Sequence, residues 1–344
     1  MELQHRLIKQ TINIAISKAI EDMKGNTRRG IRNLIDLGLL FSQNKNTTWF
    51  FKTSKKVISN PRNPYNALAA RIISDIDNDT IKTVGLNLGY NSLIYGANKL
   101  RKKQEAIGLA IPWLLIFNKF GSHPDTFHHI ESLVSAGQEL GIYSYVFCPQ
   151  NTYEFESLSK ITKQFKECLF IFQVPSMLIT EEMMQSLKSN HNTIVSIQLE
   201  SDDLNCESTV KACEILKQNR CLYGFQVTYR EDNANKIATP EYIRSAIGLG
   251  NLFGVYVADH GVSEVCRKSV YDFVCNERGE KGQSLITLEW CRDIQNISER
   301  ILSSDGYLSV NLTERMYCEY IKVKDVLTKS LLEILQSNQP CVSC

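Results

Sequence analysis

Eleven cysteines stand in this chain of 344 residues, and one close pair among them, Cys341 and Cys344, has ligand-like spacing. A C-x2-C pair can supply half of a zinc or iron–sulfur site or a redox couple, or else belongs to a frayed tail. Cys318 would add a third sulfur if the tail folded back onto it. Cys148 closes an apolar run and could serve as a nucleophile, although the sequence names no base for it. Asp259-His260 reads as a general base beside its orienting acid, or as a loop histidine bonded to its neighbours. His123 and Asp125 share a short loop, where a lone imidazole without convergent donors is a surface residue. No Ser-His-Asp order, phosphate-binding glycine loop, H-E-x-x-H helix or nucleic-acid motif occurs.

The cysteines are odd in number and lack a disulfide-scaffold pattern, which predicts reduced thiols in a cytoplasm. The longest apolar run, residues 108–117, contains Pro112 and is too short to cross a bilayer. The N-terminus has no signal-peptide apolar core, so no membrane partner is expected. Net charge is +2, but residues 1–110 carry +10 and the remainder −8. Either the two parts attract each other, or the basic part meets an acidic peptide or nucleic acid. Without a nucleic-acid motif, the latter partner is not expected. A homo-oligomer is left open.

These groups need elements to hold them. In the first 110 residues Leu7, Ile8, Ile12, Ile16, Ala19, Ile20 and Met23 recur at helical spacing up to Gly25. A second stripe runs from Leu34 to Leu40; Asn46-Thr47-Thr48 caps a third helix, which ends before Pro61. Pro64 opens a fourth and Asp77-Asn78-Asp79 caps a fifth. From residue 111 short apolar runs at 113–117, 143–148, 169–174, 194–199, 222–229 and 253–257 alternate with amphipathic helices. Such alternation predicts a parallel sheet wrapped by helices, a barrel or part of one. Two further strands at 307–312 and 316–322, joined by a tight turn, and a helix at 326–335 complete the chain. The predicted division is a helical domain at 1–110, a barrel core at 111–262 and a C-terminal extension at 263–344.

The order of these pieces resembles the radical SAM superfamily, in particular bacterial members with a helical N-terminal extension. Ile111-Pro-Trp-Leu-Leu-Ile-Phe117 is similar to the family's first barrel strand, and the stretch from Gly137 to Val146 to its first helix entering the second strand. Leu178-Ile-Thr-Glu-Glu182, Ala212-Cys-Glu-Ile-Leu-Lys217 and the closing Ser330 to Ser337 also fit. The resemblance implies an α/β fold, a radical-SAM-like partial barrel with an all-helical N-terminal domain. It also implies a C-x3-C-x2-C loop after the first strand, whose three thiolates hold a [4Fe–4S] cluster that leaves one iron for S-adenosylmethionine. Residues 118–126 contain no cysteine, and the Gly-Gly-Glu-Pro segment is replaced by Cys148-Pro-Gln-Asn-Thr152. Glu200 stands where the family has a polar residue near the cofactor ribose, and Cys318 where some members have an auxiliary-cluster cysteine.

The resulting expectation is a catalytically inactive scaffold with no cofactor, partnering a radical SAM enzyme or binding a peptide. The alternatives are repurposed chemistry at the barrel mouth through Cys148, Glu200 or His260, and an iron–sulfur cluster or zinc on Cys318, Cys341 and Cys344. The mouth is expected to be lined by Cys148, Gln173, Glu200 and Asp259, and partly filled by Phe120, Tyr153 and Met177.

Overall fold

The computed structural model describes residues 2–42, 45–121, 125–299, 306–312 and 329–337. Eight parallel strands form one sheet: β1 (Leu114–Phe120), β2 (Ser144–Phe147), β3 (Leu169–Pro175), β4 (Thr193–Gln198), β5 (Tyr223–Tyr229), β6 (Phe253–Ala258), β7 (Ile286–Glu289) and β8 (Tyr307–Leu312). Their order is β7-β6-β5-β4-β3-β2-β1-β8, so the sheet curls into a half-barrel with two edges. Strands that carry helix crossovers are buried on their outer side, which explains their near-continuous apolar sequence.

The convex face is a layer of aromatic rings. Phe117, Tyr145, Phe147, Phe170, Phe172 and Phe225 are fully buried there. Phe147 stacks on Phe170 at 5.2 Å between centroids, and Phe155 tilts onto Phe172 at 4.7 Å. The covering helices are α7 (Thr126–Leu140), α8 (Thr152–Gln164), α9 (Glu181–Leu187), α10 (Glu207–Gln218), α11 (Ala234–Ile237), α12 (Pro240–Gly248) and α13 (Glu264–Glu277). Side-chain oxygens at Asn151, Thr180, Thr239 and Ser263 cap α8, α9, α12 and α13.

Before the sheet come α1 (Glu2–Gly25), α2 (Thr27–Phe41), α3 (Lys45–Ser59), α4 (Tyr65–Asp75), α5 (Asn78–Leu86) and α6 (Ala97–Ile107). Residues Asn87–Gly96, between α5 and α6, are wound as a π-helix. This wide turn carries buried amides to the base of the sheet: Asn87 Nδ2 donates to the carbonyls of Lys166 and Cys168, Asn91 Nδ2 to that of Glu167, and Ser92 Oγ meets Ser144 Oγ. Arg71 donates to the Ser284 and Asn251 carbonyls, and Arg220 to that of Ile76. Lys9 and Glu167 form an ion pair across the same joint. Of these contacts only Lys9–Glu167 pairs opposite charges of the +10 and −8 parts; most of the others are donors meeting main-chain carbonyls.

The six barrel strands read from sequence are present within a residue or three at their ends, and the strand read at 307–312 is β8, paired with β1. The elements that went unread include α6, α11, α13, β7 and α14 (Trp290–Ile297). β7 and β8, from the stretch expected to form an extension, are the two edges of the sheet. The expected strand at 316–322 lies outside the described residues, as do Cys318, Cys341 and Cys344; a helix, α15 (Leu331–Ser337), follows. No helix among the described residues is long and apolar enough to cross a membrane.

Candidate functional site

Side chains alternate along a strand, so the residues between the buried aromatics point to the concave face. Its lower half is closed by α14, which carries the chain from the β7 edge to the β8 edge. Trp290 and Ile294 of α14 pack with Leu114, Ile116, Val146, Ile171 and Tyr307. The indole of Trp113 donates to Ser298 Oγ at 2.9 Å just beyond α14. Further along the sheet, a Cβ at Gly224 would meet the Phe253 carbonyl at 2.2 Å and its ring at 2.6 Å, so Phe253 lies over that glycine.

α14 is fixed by a buried polar network. Glu289 is 1% exposed. Its Oε1 accepts the Tyr229 hydroxyl at 2.9 Å and its Oε2 the Arg292 N–H at 2.8 Å, which caps α14. Burial, reinforced by nearby Asp293, holds the Glu289 carboxyl above the usual range despite these bonds. Asp293 in turn accepts the Glu289 N–H and pairs with Arg278.

Above α14 the concave face turns polar and uncharged. Register places Cys148 beside Asn118 and Gln173, Gln173 beside Ser196, and Gln198 beside Gln226. Thr228 is two residues further along β5, and Ser309 lies on β8. Asn118 Nδ2 donates to Ser309 Oγ at 3.2 Å, leaving its buried Oδ1 without a partner among the described residues. Ser196, 3% exposed, has a buried hydroxyl equally without a partner among them. Both atoms could bond to a polar group brought into the groove.

Cys148 lies in this row and donates to Gln173 Oε1 at 3.4 Å. Burial pushes its thiol up to about 12, so it is a packed side chain with little thiolate at neutral pH. Glu200 is exposed in the bend after β4. Asp259 follows β6, and its Oδ1 accepts the His260 main-chain N–H at 2.7 Å; His260 is exposed. β2 and β6 are four strand spacings apart, about 19 Å along the sheet. The four expected lining residues lie at or near the C-terminal ends of four different strands, and register makes neighbours of Cys148 and Gln173.

The expected plugs are corrected. Lys119 adopts φ +50°, in the left-handed region, and the β1–β8 register shifts between Asn118 and Phe120. This bulge turns Phe120 to the convex side, where it stacks on Phe127 at 6.0 Å. Tyr153 and Met177 are 68% and 66% exposed. The mouth's apolar floor comes instead from α14, which the sequence reading missed.

A second miss is Cys206, the N-cap of α10 in the loop following β4. Its Sγ lies 3.0 Å from Thr209 Oγ1 and 3.5 Å from Ser208 Oγ, which itself accepts from Ser176. Partial burial opposes ionisation, but the Thr209 and Ser208 hydroxyls and the Thr209 N–H outweigh it and hold the thiol below its ordinary value. Its position one residue before an amphipathic helix was the available signal. For an open-iron cluster the donor set does not fit: the chain's first cysteine is Cys148, so the loop after β1 offers no thiolate.

The curled sheet has counterparts among solved structures. Streptococcus suis SuiB matches with a TM-score of 0.53 and 12% identity over 89% of this chain and 81% of that one. SuiB bound to precursor peptide SuiA gives 0.50 at 11% identity, over 72% and 69% of the two chains. SuiB bound to S-adenosylmethionine gives 0.50 at 11% identity, over 72% and 68%. At such identities the likeness concerns the fold, which is a radical-SAM-like half-barrel with a helical N-terminal region. No protein-family model matches the chain, and no curated protein matches it.

Proposed function

We propose that this chain binds a peptide in its concave groove and performs no radical chemistry, acting beside a radical SAM enzyme or on that enzyme's peptide substrate. The observation that carries the reading is the uncharged row of Asn118, Gln173, Ser196, Gln198, Gln226 and Thr228, with buried acceptors left open at Asn118 and Ser196. Amide and hydroxyl side chains offer donors and acceptors together, as a peptide main chain requires. The likeness to a half-barrel seen with a precursor peptide supports the same reading. A loop without thiolates supports the absence of radical chemistry.

The test has two arms. Anaerobically reconstituted protein, given S-adenosylmethionine and dithionite, is expected to form no 5′-deoxyadenosine above background. Fluorescence anisotropy with labelled short peptides encoded beside the gene is expected to show binding that Ser196→Ala and Gln226→Ala weaken. Ser196→Ala removes an unpaired buried hydroxyl, so it should also raise stability by about 1 kcal/mol. Peptide binding unchanged in both variants would remove the groove from the account. A second reading, chemistry at the mouth, is favoured by the lowered thiol of Cys206 rather than by Cys148.

A further inference from the structure

The helical region meets the half-barrel at the N-terminal ends of β4 and β5, the end opposite the mouth. Three side chains of ligating type converge there. Asp77 caps α5, its Oδ1 accepting the Thr80 N–H at 2.9 Å, and Asp79 lies in the first turn. His191 comes from the turn before β4, in the other half of the chain. One ligating atom from each lies within 4.8 Å of the other two.

His191 Nδ1 and Asp77 Oδ1 are 3.2 Å apart, and Thr80 Oγ1 lies 3.2 Å from each of them. Two donors sharing a metal through bonds of about 2.0–2.2 Å, at an angle near 100°, stand about 3.2 Å apart. The two carboxylates, within 4.8 Å of each other, would both be favoured by a cation between them. Arg220 is beside them, but its guanidinium donates to the Ile76 carbonyl at 2.8 Å.

The frame around the cluster is preformed. The Arg220 carbonyl accepts the Asp77 N–H at 3.0 Å, and Arg220 itself is held at φ +53°. Two carboxylates and an imidazole are a donor set that zinc accepts.

The geometry points to a divalent transition-metal site, of zinc type, built from Asp77, Asp79 and His191 and clamping the helical region to the base of the half-barrel. Two carboxylates balance the ion's charge, and a neutral imidazole completes three protein ligands. The site lies at the end of the sheet where a barrel keeps its stabilising features, so the ion is structural.

The experiment is calorimetric titration of the full chain with ZnCl2, with Cys318, Cys341 and Cys344 replaced by Ser so that the tail cannot answer for the joint. One zinc per chain is expected, with affinity falling about ten-fold or more in Asp79→Asn and in His191→Gln. Asp79 is exposed, so its replacement spares the core. Zinc should raise the melting temperature of the parent, EDTA should reverse the rise, and neither variant should respond. Absence of zinc uptake by the parent, or equal uptake and equal thermal response in Asp79→Asn, would overturn the assignment.

Discussion

Two cysteines near the strand ends show how environment outranks residue type. Cys148 points into the groove but is packed and bonded to Gln173, and burial pushes its thiol up to about 12. Cys206 stands just before α10, where the Thr209 and Ser208 hydroxyls favour the thiolate and hold its thiol low. Iodoacetamide mapping by mass spectrometry is therefore expected to modify Cys206 ahead of Cys148, with the gap widest near pH 7. At that pH Cys148 is almost wholly protonated. Equal rates at the two positions would mean that the Thr209 and Ser208 hydroxyls do not stabilise the anion.

Among elements, α14 decides the shape of the groove, and Glu289 decides where α14 begins. Folded Glu289 keeps its proton to higher pH than the unfolded chain does. In the window above the ordinary glutamate range the folded state therefore binds more protons, and this residue's contribution to stability falls as pH rises. Glu289→Gln keeps an acceptor for Tyr229 or for the α14 cap without the buried charge. Its denaturation midpoint, followed from pH 4.5 to 8, is expected to decline less than that of the parent. An identical decline in both proteins would place the pH dependence on other groups. The Lys119 bulge acts on the same scale: one left-handed residue sends Phe120 to the aromatic layer and leaves the mouth polar.

For the whole molecule, the joint between helices and half-barrel rests on buried amides more than on opposite charge. Asn87 is 1% exposed and donates to two carbonyls at the entrance to β3. Asn87→Ala leaves both with one donor fewer and is expected to cost about 1–3 kcal/mol in chemical denaturation. Salt screens exposed charges but leaves such bonds intact. Stability and radius of gyration should then change little between low and high NaCl. A chain that expands in salt would restore the charge attraction read from the sequence.

Composition and periodicity determined much of this protein. The continuous apolar runs could be buried only between helices, which gave the parallel sheet and six of its strands. The helical N-terminal region followed from spacing and caps, and the missing thiolates after β1 from residue type alone. Only the tertiary structure decided the rest. β7 is four residues long and exposes Ile286, too little pattern to read as a strand. α14 became the floor of the groove because the chain must cross from one sheet edge to the other. Ser196 sits inside an apolar strand, and only register shows its hydroxyl facing a row of amides. Asp77 and His191 are 114 positions apart, and no local pattern could bring them to 3.2 Å. Periodicity reports which face of an element is buried; which faces then meet is settled by packing between distant segments.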